Sequence, residues 1–220
     1  KGALELLASW NYHLDRNSTA AALYDRWEQG MLMTLNSDLL PNRSPQARQL
    51  ISRPKLKAWM LAPPEFVFGK NPERARDKMI KKHLADAIDS LTEEFGEDEW
   101  TYGDIHFSSI DHPLKALVDD AKRAMLEIGP LARGGGANTL NANHGTGKQT
   151  AGASFRMIAD TADWSSAVGT NTPGQSADPS SPYYDNLFEN WNKGEYFPLY
   201  FSREVVKENT HAFTRLTPVE

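Results

Sequence analysis

The sequence has no cysteine, and that absence removes disulfides, thiolate metal sites and a cysteine nucleophile together. It also lacks any long hydrophobic run: nothing approaches the roughly 18 apolar residues of a membrane-spanning helix, so no membrane partner is expected. Positive charge is in deficit. With 24 Lys and Arg against 29 Asp and Glu the net charge is −5, which makes a polyanion such as nucleic acid a poor partner. The chain opens "KGALELLASW", with no Met and no basic segment leading into an apolar signal. That opening lies inside a helical pattern and reads as a piece cut from something longer. What is present suits a globular core: 220 residues, 40% apolar and 24% charged, with a mean hydropathy of −0.58.

Helical spacing dominates the first half. "ALELLASW" is a short apolar helix, and Asn17 or Ser18 caps a second one with Ala20, Tyr24, Trp27, Met31 and Leu35 on one stripe. A polar, proline-marked loop, "LLPNRSPQAR", interrupts it, and "RPKLKAWMLAPPEFVFGKNP" is a short helix or extended piece broken at Pro63-Pro64. The clearest helix has Asn71 as cap, Pro72 first, Ile80, Leu84, Ala87, Ile88, Leu91 and Phe95 on one face, and Gly96 at its end. Its other face, Glu73, Arg74, Arg76, Asp77, Lys81 and Lys82, reads as solvated surface.

From Arg133 onward Gly, Asn, Ser and Thr dominate and the period shifts toward two. "GASFRMIADTADW" alternates Phe155, Met157 and Ala159 against Arg156, Ile158 and Asp160, a strand with two faces. Pro173-Gly174 marks a turn. Ser181-Pro182 starts a helix whose Tyr184, Leu187, Phe188 and Trp191 share a face, and Gly194 closes it. Tyr196, Phe197, Leu199, Tyr200 and Phe201 read as a buried strand and "HAFTRLTP" as a last one. The expectation is an α+β chain, a mainly helical segment over 1–132 and a mainly β segment over 133–220, with sheets this chain does not complete alone.

Chemistry-bearing motifs are incomplete. "ANHGTGKQT" has Gly147-Lys148 but Ala142 and Gln149 where a phosphate loop needs glycine and a hydroxyl, so it reads as a polar hairpin tip. "GDIHFSSIDHP" concentrates Asp104, His106, Asp111 and His112, types that ligate metals, but neither helical nor strand spacing brings the two histidines together. Ser154 has no evident base, Lys1 cannot act as an N-terminal Ser, Thr or Cys would, and Asp160 with Asp163 beside Trp164 reads first as a capped turn.

Three stretches in order resemble the penicillin acylase (penicillin amidase) family of N-terminal-nucleophile hydrolases. They are "WTYGDIHFSSIDHPL", "GPLARGGGANTLNA" and "GASFRMIADTADWSSAVGTNTPGQSADPSSPYYDNLFENWNKGEYFPLYFS", covering about Trp100 to Pro218; upstream "LASWNYHLDRNSTAAALYDRWEQGM" is similar with less specificity. The resemblance implies a portion of a four-layer αββα sandwich, in the C-terminal part of a β subunit. It implies hydrolysis of an acyl amide: a β-lactam side chain, an acyl-homoserine lactone or a lipopeptide. The nucleophile, the oxyanion asparagine and a calcium site would precede Lys1, so no catalytic, cofactor or metal residue is assigned, and Asn138, Asn141 and Asn143 read as hairpin polar groups. Implied partners are the rest of the β subunit and the α subunit of the same precursor, and the implied location is the periplasm or beyond. Gly174-Gln175-Ser176 then reads as scaffold. Two rivals stay open: a separate site around Asp104, His106 and His112, and a non-catalytic module that docks through unfilled sheet edges.

Overall fold

Long amphipathic helices form where the apolar period is 3.6, and short strands where glycine and hydroxyl residues crowd together. The computed structural model describes residues 2–39, 51–97, 100–144, 147–149 and 151–218. The loop expected at "LLPNRSPQAR" lies, beyond its first residue, outside them. The described residues make an α+β chain with helices in the first half and antiparallel strand pairs in the second, consistent with part of an N-terminal-nucleophile hydrolase fold. They fall into two compact units, Lys1–Phe107 and Ser108–Glu220. The composition shift at Arg133 falls inside the second.

In the first unit, α1 spans Ala3–Ala8, α2 Thr19–Leu39, α3 Arg53–Leu61, α4 Glu65–Phe68, α5 Pro72–Phe95 and α6 Tyr102–Ile105. Ser18 caps α2, its hydroxyl accepting from the Ala21 N–H at 3.1 Å. Ser52 caps α3 in the same way with Pro54 in the first turn, and Pro63-Pro64 separates α3 from α4. Asn71 stands at the N-cap of α5 without a side-chain bond, and Gly96 ends that helix. Leu23 of α2 and Leu91 of α5 are wholly buried, with Ala87, Trp100 and Tyr102 around them. Leu32, Leu35, Leu56 and Trp59 form a second cluster. The Trp27 indole N–H donates to the Ile80 carbonyl at 3.0 Å, binding α2 to α5. One core residue escaped the apolar stripe. His83 is buried, and a Cβ at Gly30 would stand 3.0 Å from its ring.

In the second unit β1 (His106–Ile110, entering from the first), α7 (Asp120–Leu126), β2 (Ile128–Ala132), β3 (Asn143–His144), β4 (Gly147–Gln149) and β5 (Ala151–Gly152) come first. They are followed by β6 (Arg156–Ile158), β7 (Val168–Thr170), α8 (Phe188–Lys193), β8 (Phe197–Pro198) and α9 (Arg203–Glu208). The sheets are ordered β2-β1-β4, β3-β5 and β6-β7-β8. β3 and β5 pair antiparallel, so the described part of "ANHGTGKQT" stands at the end of a hairpin as expected, while β4 within it joins the sheet of β1. Ile128, Tyr184, Phe188 and Trp191 form the core, and the Tyr184 hydroxyl donates to the Leu126 carbonyl at 2.7 Å.

Three expectations fail in this unit. The aromatic run from Tyr196 to Phe201 is not a buried strand: only Phe197 and Pro198 pair, against Gly169 and Val168, and the aromatic rings stay exposed. "HAFTRLTP" forms no strand, because among the described residues no edge pairs with it, and its side chains are exposed. The helix expected from Ser181 begins only at Phe188. The preceding residues form turns, with the Ser181 hydroxyl accepting from the Tyr183 N–H at 3.2 Å. A helix that was not expected, α9, follows, capped by Ser202.

Candidate functional site

A cavity of about 420 Å³ opens in the second unit. Its polar lining is Ser108, Ser109, Asp111, Arg133, Asn143, Gln149, Ser154 and Thr172, and its apolar lining includes Ile110, Ala151, Pro173 and Trp191. Strand β1 brings Ser108 and Ser109 with Asp111 just past its end, the segment after β2 brings Arg133, β3 brings Asn143, the segment after β5 brings Ser154, and α8 brings Trp191. Pro173 enters because the "PGQS" corner is clamped to the segment before α8. The Pro173 carbonyl accepts from the Leu187 N–H at 2.9 Å, and the Gln175 and Ser176 N–H groups both donate to the Tyr183 carbonyl, at 2.8 and 3.0 Å. Gly174 is required there, since a Cβ would stand 2.2 Å from the Tyr183 carbonyl oxygen.

Two arginines dominate the electrostatics. Arg133 is fully buried with its guanidinium 3.7 Å from the centre of the Trp191 ring, and its Nη2 donates to Asn141 Oδ1 at 2.6 Å. Arg156 approaches the same indole, its Nη1 donating to Asn141 Oδ1 at 2.8 Å and its Nη2 to the Trp191 carbonyl at 2.5 Å. The indole N–H of Trp191 donates to the Ala153 carbonyl at 3.0 Å. Burial, then the neighbouring Arg156 charge, pulls the Arg133 pKa down to about 10. The group is still charged at neutral pH. A desolvated guanidinium costs several kcal/mol; stacking on an indole offsets about 2 kcal/mol and one charged hydrogen bond about 1.5–3 kcal/mol. Among the described residues, Nε and Nη1 of Arg133 have no hydrogen-bond partner, and neither do Ser108 Oγ, Thr172 Oγ1 or Asn143 Oδ1.

The one carboxylate in the lining, Asp111, is already engaged, by Lys115 at 2.7 Å and Lys148 at 2.5 Å. Hydrogen bonds from Lys115 and then Lys148 hold its pKa below the ordinary value. Lys148, the lysine of the failed phosphate-loop pattern, is thus half of an ion-pair bridge. The other chemistry-bearing residues are dispersed. Asp104 accepts the Thr101 N–H and hydroxyl at 2.7 Å each, starting α6, and His106 is buried with its ring stacked 4.6 Å from that of Tyr102. His112 accepts from the Leu114 N–H at 3.1 Å. Among the described residues no group of three His, Asp or Glu is placed to hold a metal ion. Asp160 and Asp163 close local turns onto the Ala162 and Ser165 N–H groups. Three serines line the cavity, but no described histidine does.

Sequence reasoning missed Arg133 and Arg156 as site residues and took Asn141 and Asn143 for hairpin groups. Asn141 instead bridges both arginines, and its Nδ2 donates to the Gly134 carbonyl at 3.0 Å. A signal existed for Arg156, an arginine set against apolar neighbours in an alternating stretch. None marked Arg133, whose surroundings are "LARGGG".

Comparison with known proteins places these elements in a family. The chain is 27% identical over 227 residues to the acyl-homoserine lactone acylase QuiP of Pseudomonas fluorescens strain Pf0-1, an alignment covering 96% of this chain and 27% of that protein. It is 31% identical over 162 residues to the protein of the same name from Pseudomonas syringae pv. syringae, covering 70% of this chain and 18% of that protein. The chain therefore spans about a quarter of the length of these curated relatives. The family model for penicillin amidase matches residues 1–208, and on that match across both units the chain belongs to the penicillin amidase family.

Proposed function

We propose that these residues form the C-terminal part of an amidohydrolase that cleaves the amide bond of an N-acyl substrate, with the nucleophile supplied by residues outside the 220 described by this sequence. The observation that carries the proposal is the family match over residues 1–208. The cavity is in keeping with it: serines line it without a described imidazole to activate them. In the resembling family the nucleophile is the first residue of the β subunit and its own α-amine is the base, while backbone N–H and an asparagine hold the oxyanion. Relatives named as acyl-homoserine lactone acylases favour an N-acyl-homoserine lactone as substrate over a β-lactam or lipopeptide. Hydrolysis would release a carboxylic acid and the lactone amine.

The partners proposed are the remaining residues of the same precursor, in the periplasm or outside the cell. Phe155, Met157, Ile158, Trp164 and Phe201 are all more than half exposed in the second unit, a density of exposed apolar side chains that suits burial against further chain. The test is direct. The purified 220 residues are expected to leave a chromogenic acyl anilide and an acyl-homoserine lactone intact, while a longer polypeptide with the upstream sequence hydrolyses them. Turnover by the 220 residues alone would overturn the placement of the nucleophile, and an inactive, fully processed longer polypeptide would overturn the amidohydrolase reading.

A further inference from the structure

The cavity under Trp191 holds a buried guanidinium with spare donors, and the acid in its lining is already engaged. Arg156 cannot relieve it, being itself positive and committed through both terminal nitrogens. Asp111 cannot, because its oxygens are held by Lys115 and Lys148. Asn141 gives one oxygen to two arginines. Nε and Nη1 of Arg133 therefore remain as unused donors among the described residues. The Ser108 and Thr172 hydroxyls, also without partners, line the same cavity. The space, about 420 Å³, is far larger than one water needs and lies in the range of small-ligand pockets. Its walls at Ile110, Ala151, Pro173 and Trp191 suit an apolar body.

We infer that this cavity is a binding site for a monocarboxylate with a small apolar or aromatic body, its carboxylate taken by Arg133 and its body laid among Ile110, Pro173 and Trp191. A planar carboxylate matches guanidinium donors in geometry as well as charge. Arg156 beside it is likewise held by neutral oxygens only, and the apolar walls at Ile110, Pro173 and Trp191 favour a carboxylate on an apolar body over a free phosphate. The lowered pKa of Arg133 agrees, since burial is its first cause and the Arg156 charge its second. The ligand restores that missing counter-charge.

Calorimetric titration of the 220-residue chain tests this, with phenylacetate as probe and phenylacetamide as its neutral counterpart. The expected result is one saturable site for phenylacetate and binding at least about tenfold weaker for the amide. Arg133→Lys, which keeps the charge but loses the planar fork, is expected to weaken phenylacetate by about tenfold. Thr172→Val, at a less buried position, should weaken it by a few-fold and keeps the test open if the arginine variant fails to fold. Equal binding of acid and amide, or no saturation by about 10 mM phenylacetate, would overturn the inference. Repeating the titration on the longer polypeptide tests whether the cavity stays open there. Saturation that Arg133→Lys weakens assigns the site to a free acid; no Arg133-dependent saturation there would mean that upstream sequence fills the cavity and would overturn the inference. Only that last arm rests on the proposed function, so the amidohydrolase reading can fail while the first titration still stands.

Discussion

In the first unit Arg53 meets two carboxylates; in the second, Arg133 goes deeper and meets none. Nε of Arg53 donates to Glu28 at 2.5 Å, Asp25 lies 4.0 Å from its Nη2, and the Tyr24 hydroxyl donates to Glu28 at 3.2 Å. Burial, then the Glu28 charge, pushes the Tyr24 pKa up to about 12, and burial raises that of Asp25 against the pull of Arg53. Every charge in this cluster answers another, so its chemistry is spent on joining α2 to α3. The second unit leaves donors unanswered beside an open space. Buried charge that is fully paired is scaffolding, whereas buried charge that is left unpaired points to something that arrives.

The comparison breaks hardest at Trp191. That indole stacks on Arg133, lies 6.0 Å from the Phe188 ring and donates to Ala153. Trp191→Ala is expected to cost the second unit about 3–5 kcal/mol and to abolish phenylacetate binding. Urea unfolding followed by circular dichroism checks it; a loss below about 1 kcal/mol would mean that the indole is not the keystone of this core. The next largest effect is at Gly174, where a Cβ would meet the carbonyl oxygens of Tyr183 and Tyr184 at 2.2 and 2.5 Å. Backbone cannot yield as a side-chain tip can. Gly174→Ala should cost about 1–3 kcal/mol, with the loss confined to the second unit, as hydrogen exchange would resolve.

In the first unit, Glu28→Gln sharpens the same contrast from the other side. The amide keeps one acceptor oxygen of two, so it serves the Tyr24 hydroxyl or the Arg53 Nε but not both, and it loses the charge. With the Arg53 side chain 36% exposed, water takes part of the burden, and the expected loss is about 1–2 kcal/mol. Urea unfolding measures it, and the carboxylate titration in the second unit should be unchanged. A neutral or stabilising result would show that the pairing around Arg53 is dispensable.

The two units also differ in how far their sequence can be read. Helices α2 and α5 were legible because Ala20, Trp27, Met31 and Leu35, and Ile80, Leu84, Ala87 and Leu91, repeat at helical spacing over many turns. His83 was not, because a polar residue on the buried face is invisible to an apolar pattern; its ring is accommodated only by Gly30 on the facing helix. The second unit has strands of two to five residues, too short for alternation to be distinguished from chance. Aromatic content at Tyr196–Phe201 suggested burial, yet strand pairing is decided by a partner edge distant in sequence. Helix α9 carried a readable sign in Ser202 and went unread, because the sequence reading passed from the aromatic run ending at Phe201 straight to "HAFTRLTP". The candidate site was the least legible part. Arg133, Asn143, Thr172 and Trp191 come from four separate segments, and no local spacing encodes their meeting.

The smallest effect separates a solvated ion-pair bridge from the buried arginine beside it. Asp111 is hydrogen-bonded by Lys115 and Lys148, which lowers its pKa in the folded protein. A folded-state pKa below the unfolded one contributes stability that is present above the ordinary carboxylate range, near pH 4, and is lost as pH falls through the depressed value. With side chains about one-third exposed, screening limits that contribution to below about 1 kcal/mol. Wild type should therefore exceed Asp111→Asn by that margin at pH 7, and the margin should shrink toward acid pH and at about 1 M salt. Arg133 titrates far above this window, so phenylacetate binding should follow the ionisation of the ligand acid, and Asp111→Asn, which removes a negative charge from the same lining, should leave it no weaker. A margin that stayed constant into strong acid would show that the Asp111 carboxylate contributes through packing rather than charge, and loss of phenylacetate binding in Asp111→Asn would show that the ion-pair bridge also holds the shape of the cavity it lines.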